Sequence, residues 1–448
     1  MAAGAEQERE DRGDAAAFFR DAPTEVQLAL ARRLSTKLIL RARAVCRAWR
    51  DVLSSDSALL HMLHPLQPAR PLLCFDRAAC PARQYFKLRD YCVESLDLRS
   101  GELRPVLRFA DNEYYGYADT VGLRGHDDAP PITRARCVDF KKMEDDYADD
   151  VFVKPKLVVH GSLHGYLLVS FVDSWYLVSP ATRLWAALPD LSSFGVVGLY
   201  YHAPSDTYRV LCLRISEVVQ EASTSTSTST SVQCSYFVHA LGGLQMRGIG
   251  LGRWLFYACI YPPLQLGRNL HWPPVACPEE KPHIVVFDTE AEVFRRMRSP
   301  PPVNMTLRGD GDATRLLELP PGLLGLSAFR KTTSTLELWR LEDYQREGWV
   351  LVHRIRLALQ QIMPILVLER HWAAAVVSPE GDVLIESTHW LLHCDREGNL
   401  LRKFRVPGGP MARHVFRESL LRHHVFRERI VGAPAPPFFR GLSSDPSW

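Results

Sequence analysis

From about residue 70 one unit recurs along the chain: an apolar strand, a turn rich in Asp, Ser, Thr or Gly, and a second strand that often opens near an aromatic residue. It is readable as SLDLRSGELRPVL from Ser95, WYLVSPATRLWAALP from Trp175 and YYHAPSDTYRVLCL from Tyr200. It returns as IVVFDTEAEVFRRM from Ile284, LELWRLEDYQREGWVLVHRI from Leu336 and WLLHCDREGNLLRKF from Trp390. Short apolar runs bounded by turn formers make antiparallel strands. Hairpins sustained over roughly 350 residues are too long for one β-sandwich, which would have to split into two domains. A closed array absorbs that length, so the pattern predicts a β-propeller of about six irregular blades. The repeat is degenerate and its turns are unevenly spaced.

Composition enters where it excludes alternatives. Of the 448 residues, 46% are hydrophobic and 23% charged, which is the balance of an ordinary globular protein. A formal net charge of +3 gives no general field for nucleic acid. The ten cysteines form no C-x-x-C pair, which leaves a zinc knuckle without local support. No apolar run approaches the roughly 20 residues of a membrane helix, and the opening MAAGAEQEREDRGD lacks the apolar core of a signal peptide. The expectation is reduced thiols in the cytoplasm and/or nucleus, with neither membrane nor nucleic acid as partner.

Ahead of the hairpins the periodicity is helical. Residues 1–20 are polar and expected to be disordered, and order is expected to begin near Asp21, with Pro23 and then Glu25 as helix-start signals. Val26, Leu30 and Leu34 recur at steps of four. After a break at Ser35-Thr36, Leu38, Ala42, Val45, Trp49 and Val52 make a second seam. Ser54-Ser55-Asp56 then caps a short third helix through Leu59, Leu60 and Leu63. Residues 22–61 hold seven Lys/Arg against three acids. A helical domain over 21–64 is too small to bury a sufficient core alone, so it must lean on the rest of the chain or on a partner. The β-domain is placed at 70–410. It is interrupted by the acidic run EDDYADD at Glu144 and by STSTSTSTS at 223–231, read as a flexible loop between strands. Residues 411–448, where HVFRE occurs at His414 and again at His424, are read as a C-terminal helix or tail.

Catalytic motifs fail on order or context. Gly161-Ser162-Leu163-His164-Gly165 lacks the G-x-S-x-G order of a hydrolase elbow. Gly248-Ile249-Gly250-Leu251-Gly252-Arg253 misplaces the third glycine of a dinucleotide loop and reads as a strand-turn cluster. Asp310-Gly311-Asp312 lacks the further carboxylates of a calcium loop. His160 and His164 flank a Gly-Ser pair read as a turn, and His423-His424 are adjacent, so neither pair makes a metal site. The reading assigns no catalytic residue, no metal and no cofactor.

The segment DAPTEVQLALARRLSTKLILRARAVCRAWRDVLSSDSALL closely resembles an F-box, most specifically in PTEV at Pro23–Val26 and RAVCRAWRDVLSS at Arg43–Ser55. The hairpins SPATRLWAALP, YRVLCLR, FDTEAEVFRRM and LELWRLEDY resemble the F-box-associated β-propeller domain of large plant families. The resemblance implies an α+β multidomain chain, a three-helix F-box followed by a mainly antiparallel propeller. It further implies a non-catalytic substrate receptor of an SCF (Skp–cullin–F-box) ubiquitin ligase, docking on a Skp-type adaptor and through it on a cullin-RING ligase. By analogy Pro23, Val26, Leu30, Leu34, Leu40, Val45, Cys46 and Trp49 form the adaptor face, and each is equally compatible with a place in the intramolecular core. The β-domain would hold an unidentified target through residues the sequence does not reveal. Where the family opens Leu-Pro this chain has Ala22-Pro23, and where a second Leu-Pro is common it has Leu34-Ser35. Loss of a buried leucine at position 22 lowers the expected docking energy by about 1–3 kcal/mol. A non-ligase scaffold with a diverged F-box is the alternative function, and a propeller enzyme the remoter one.

Overall fold

The computed structural model describes positions 23, 26, 29, 34, 38, 39, 41 and 60, then residues 63–78, 89–110, 157–171, 174–220, 229–243, 245–251, 262–274, 282–300, 313–369, 372–387, 389–405, 414–421 and 426. Most of the described chain after residue 69 is strand. In order come β1 (Arg70–Ala78), β2 (Arg89–Asp97), β3 (Glu102–Ala110), β4 (Leu157–Leu163), β5 (Tyr166–Phe171), β6 (Ser174–Ser179), β7 (Leu184–Leu188) and β8 (Gly195–His202). They are followed by β9 (Thr207–Gln220), β10 (Ser229–Ala240), β11 (Met246–Leu251), β12 (Leu264–Leu266), β13 (Asn269–Trp272), β14 (His283–Asp288), β15 (Val293–Arg298) and β16 (Ala313–Leu319). The series ends with β17 (Leu323–Arg330), β18 (Thr335–Asp343), β19 (Gly348–Arg356), helix α1 (Leu359–Leu366), β20 (Trp372–Val376), β21 (Val383–Ser387), β22 (Trp390–Cys394), β23 (Leu400–Arg405) and β24 (His414–Phe416).

These strands pair into six four-stranded antiparallel sheets, the blades of a propeller. Five blades follow sequence order from innermost to outermost strand. The first does not: β24 lies beside β1, in the order β24-β1-β2-β3, so the end of the strand series supplies the inner strand of the first blade. Its register pairs Arg70 with Phe416, Pro71 with Val415 and Leu72 with His414. The stretch expected as helix or tail from residue 411 therefore contributes a strand. The pairing joins residues about as distant as the chain allows, and nothing local to HVFRE announces it.

Five of the six hairpins legible in the sequence, those at Ser95, Trp175, Ile284, Leu336 and Trp390, are the same element: the third and fourth strands of a blade. Four of their turns open on an aspartate whose Oδ1 accepts from nearby backbone amides: Asp97 from Arg99 and Ser100, Asp288 from Glu290 and Ala291, Asp343 from Gln345 and Arg346, Asp395 from Glu397 and Asn399. A short acceptor side chain at the head of a turn satisfies donors that would otherwise face solvent unpaired. The turn's last residue then ties blades together. Glu292 accepts from Tyr200 at 2.6 Å and also from Arg209 and Arg247, all on the preceding blade. Glu347 reaches back to the Arg298 amide at 2.9 Å.

The core lies between blades. Leu72, Val93, Val159, Val169 and Phe416 join the first two; Tyr200, Leu211, Tyr236, Trp272 and Phe287 join the third and fourth. Inner strands crowd closely: a Cβ at Gly161 would come within 2.9 Å of the Leu199 Cβ. Gly161-Ser162 is therefore inside β4, not the turn it was read as. The turn is His164-Gly165, whose φ values of 50° and 78° suit a tight two-residue hairpin. Met246–Leu251 is strand, which accounts for most of the Gly248–Gly252 cluster. Of the Ser/Thr run, Ser229, Thr230 and Ser231 extend β10 and pair with Gln220, Val219 and Val218, because alternating Thr suits an extended backbone. Residues 221–228, the acidic run at 144–150, Asp310-Gly311-Asp312 and the chain beyond 426 lie outside the described residues, as do residues 1–20.

Candidate docking face of the N-terminal segment

The backbone is helical at Val26, Ala29, Leu38, Ile39, Arg41, Leu60 and Leu63. The Val26 amide donates to the Pro23 carbonyl at 2.8 Å, so the first turn starts where proline fixes φ. Neighbouring helical residues point about 100° apart, and Leu38 and Ile39 separate accordingly: Leu38 is 43% exposed, Ile39 only 2%. Leu60 and Leu63, one turn apart, are both buried. Among the described residues of the segment, Ile39, Leu60 and Leu63 pack inward on the propeller, while Pro23, Val26, Ala29, Leu38 and Arg41 are exposed.

The inner face is received by described residues that follow β24. Ile39, Leu60 and Leu63, with half-buried Leu34, share one apolar cluster with Tyr166, Leu420, Leu421 and Phe426. Polar bonds fix the approach. Gln67 Nε2 donates to the Leu34 carbonyl at 3.4 Å, and Tyr166 Oη donates to the Leu421 carbonyl at 2.9 Å. The His64 ring meets the Glu418 carbonyl at 3.4 Å. Arg70, 8% exposed, stands between Asp97 and Glu418 at 3.6 and 3.8 Å. Burial drives the Tyr166 hydroxyl well above its ordinary range, so it stays a donor at any physiological pH. The whole junction sits at the end of the blades where first strands turn into second strands, against the His164-Gly165 turn.

Gly165 is the tightest point. Its φ is left-handed and an added Cβ would lie 2.3 Å from the Ser419 Cβ. Gly165→Val is expected to destabilise by about 3 kcal/mol, combining left-handed strain with overpacking. Urea unfolding would measure it, and an unchanged midpoint would show that the segment after β24 does not press on this turn.

Of the residues expected at an adaptor face, Pro23 and Val26 are exposed, and Leu34 is half-buried against the propeller cluster. Leu30, Leu40, Val45, Cys46 and Trp49 lie outside the described residues, as do Ala22 and Ser35. Sequence reasoning missed Ile39 as the inward residue of its helix and missed the partners after Phe416. The second HVFRE is the one available signal, since its Phe426 buries against the Tyr166 ring at 5.1 Å.

Elsewhere Ser378, Asp382 and His393 come together, with Ser378 Oγ at 2.6 Å and His393 Nε2 at 2.9 Å from the Asp382 carboxylate. Here the carboxylate stands between serine and histidine, whereas nucleophile activation needs the histidine in the middle. Burial would raise the Asp382 carboxyl, but the hydrogen bonds from His393 and Ser378 outweigh it and hold it below its ordinary value. The trio stitches a turn between inner strands. Burial pushes the Cys212 and Cys394 thiols up to about 12, far from the thiolate a nucleophile requires. Among the described residues no three His, Cys, Asp or Glu are grouped to hold a metal, and no helix is long and apolar enough to cross a membrane.

No family model matches the chain. Over 268 residues, 53% of its length, it is 24% identical to an F-box protein of Arabidopsis thaliana, and it spans 59% of that relative. Among solved structures, the periplasmic gluconolactonase of Pseudomonas aeruginosa aligns over 78% of this chain and 86% of its own, at 12% identity and a TM-score of 0.34. The oligogalacturonate lyase of Vibrio parahaemolyticus aligns over 76% and 86%, at 7% identity and a TM-score of 0.29.

Proposed function

We propose that this chain is the target-recognition subunit of an SCF-type ubiquitin ligase in the cytoplasm and/or nucleus. Its N-terminal segment, a three-helix F-box over residues 21–64, docks on a Skp-type adaptor that joins a cullin-RING ligase. Its propeller holds a target protein, and the chain contributes proximity, not catalysis. One observation carries the reading: the segment binds the propeller through Ile39, Leu60 and Leu63 while Pro23, Val26 and Leu38 face outward. A small helical unit held this way keeps one apolar face for another protein at a fixed orientation to the propeller. The similarity to an F-box protein over half the chain supports the same assignment.

In this reading the adaptor face comprises Pro23, Val26, Leu30, Leu40, Val45, Cys46 and Trp49, with Leu34 at its border with the propeller. Trp49 is its anchor, since aromatic residues dominate interface energies. Co-purification of the full chain with a Skp-type adaptor tests it. The wild type is expected to bind, and Trp49→Ala with Val45→Ala to weaken binding by about 3 kcal/mol or more, with the propeller's cooperative unfolding retained. A wild type that binds no adaptor would remove the ligase assignment and leave a scaffold whose F-box has diverged at Ala22 and Ser35.

A further inference from the structure

We propose that the outer rim of the fifth and sixth blades binds an acidic segment with interspersed apolar residues, carried by the target protein. The inference rests on the receptor reading and names the chemistry of its target.

Nine large hydrophobic side chains among the described residues are exposed, and four lie on or just after α1 or on the strand bonded to it: Met363 on α1, Val367 and Leu368 just after it, and Leu401 on β23. Helix α1 buries Ile362 and Leu366 and turns the next pair outward, so Met363 and Val367 form an outward row one turn apart. The helix is joined to the sixth blade: the Leu400 amide donates to Gln361 Oε1 at 2.9 Å, and the Ala358 amide to the Gly398 carbonyl at 3.0 Å. Val367 and Leu368 are 69% and 89% exposed, more than any other large apolar side chain described. Isolated exposed aliphatics are ordinary, but four on or just after one helix and on the edge strand bonded to it mark an interaction surface.

Charge gives the partner its chemistry. The two edge strands here, GWVLVHRIR and LLRKFR, hold Arg354, Arg356, Arg402, Lys403 and Arg405 and no acid. Arg354 is engaged by Glu337, and Arg402 by the Ser100 carbonyl of the first blade. Arg356, just ahead of α1, and Lys403 and Arg405, on the same strand as Leu401, are exposed. Of the nearby acids, Asp395 caps its own turn, Glu397 pairs with Arg396 and Glu369 with His389, and Glu380 is exposed in the turn before β21. Charged edges guard a sheet against pairing with another, and the fourth blade's edge, VFRRMR, is likewise basic with Val293 exposed, but among the described residues only this rim adds a helix with exposed aliphatics. The asymmetry points to recognition. Cations mixed with aliphatics fit an acidic polypeptide better than a nucleic acid, whose binding calls on basic grooves with stacking aromatics.

Fluorescence anisotropy on the full chain tests this, without adaptor, so its outcome is independent of F-box docking. The probe is a fluorescein-labelled peptide of Glu with Leu at helical spacing. Its Lys-for-Glu counterpart and a single-stranded DNA oligonucleotide are the comparators. The acidic peptide is expected to bind more tightly than either, and to lose affinity about tenfold or more on combined Arg356→Glu, Lys403→Glu and Arg405→Glu. Met363→Ser with Leu368→Ser is expected to weaken it similarly. If charge reversal impairs folding, the Gln versions at the same positions carry the test, and adaptor co-purification by each variant should match wild type. No binding of the acidic peptide, equal binding of DNA, or unchanged affinity in the charge variants would overturn the proposal.

Discussion

A chain ending at residue 413 will not unfold cooperatively. Truncation there removes β24, and with it the ladder to Arg70, Pro71 and Leu72, so the first blade loses its inner strand. Phe416, 2% exposed, leaves a hole lined by Leu72, Val93, Val159 and Val169. Emptying a buried phenylalanine site costs about 3–5 kcal/mol. Leu420, Leu421 and Phe426, all buried, go with it, at about 1.5–3 kcal/mol each. The total, on the order of 10 kcal/mol, matches the whole stability of a typical domain. The inner face of the N-terminal segment also loses its seat, so the truncation should cost the helical segment its fixed place. Far-ultraviolet dichroism followed through a urea titration reads the result. A sigmoidal transition in the truncated chain would show that the ring closes without its last strand. Phe416→Ala alone should unfold cooperatively, at a midpoint lowered by the cavity term.

Acid should destabilise the propeller well before its carboxylates titrate. His160 is packed on Trp175 at 4.3 Å between ring centroids, with Nε2 2.7 Å from Ser170 Oγ. Burial, aided by His414, lowers its pKa to about 3. His271, fully buried, has Nε2 2.7 Å from Tyr344 Oη, and burial takes its pKa to about 4 against a smaller opposing effect of the Leu264 carbonyl. Both folded values lie below the unfolded 6.5. Above pH 6.5 both rings are neutral in either state and pH has no leverage through them. Below it the unfolded chain takes up protons that the folded chain refuses, so stability falls, and continues to fall until the folded values near 4 and 3 are reached. At pH 5 each ring should have cost about 2 kcal/mol, together about 4. Urea unfolding at pH 7 and pH 5 measures the difference, and His271→Gln should remove about half of it. Equal stability at the two values would mean that these rings are protonated in place.

The propeller was legible because its most repeated element is local. Each third-to-fourth-strand hairpin, such as Ser174–Leu188 or His283–Arg298, carries both strands and its turn within a short window, and the Asp-led turn writes the register into the sequence. One blade evades the pattern: its β10 and β11 meet around Gly242-Gly243, and the hairpin noticed at Tyr200 is instead the blade's first two strands. Gly161-Ser162 looked like a turn because glycine marks turns and close approaches alike, and only the neighbouring strand at Leu199 distinguishes them. In the N-terminal segment Leu38, Ile39 and Leu40 are apolar in succession. Periodicity therefore found the stripes but had no means of deciding that Ile39 faces in and Leu38 out.

The sequence by itself determined that this chain builds hairpins and about how many blades they make, and it sets the expectation of an amphipathic helical segment ahead of them. Those properties follow from alternation, turn chemistry and helical spacing, all of which act within a few residues. Only the tertiary structure decided that His414–Phe416 closes the first blade, that Leu420, Leu421 and Phe426 seat the helices, and that β19, α1 and β23 share one exposed rim. Each of these joins residues distant in sequence. Burial there depends on what the ring brings opposite a side chain, and no local pattern carries that information.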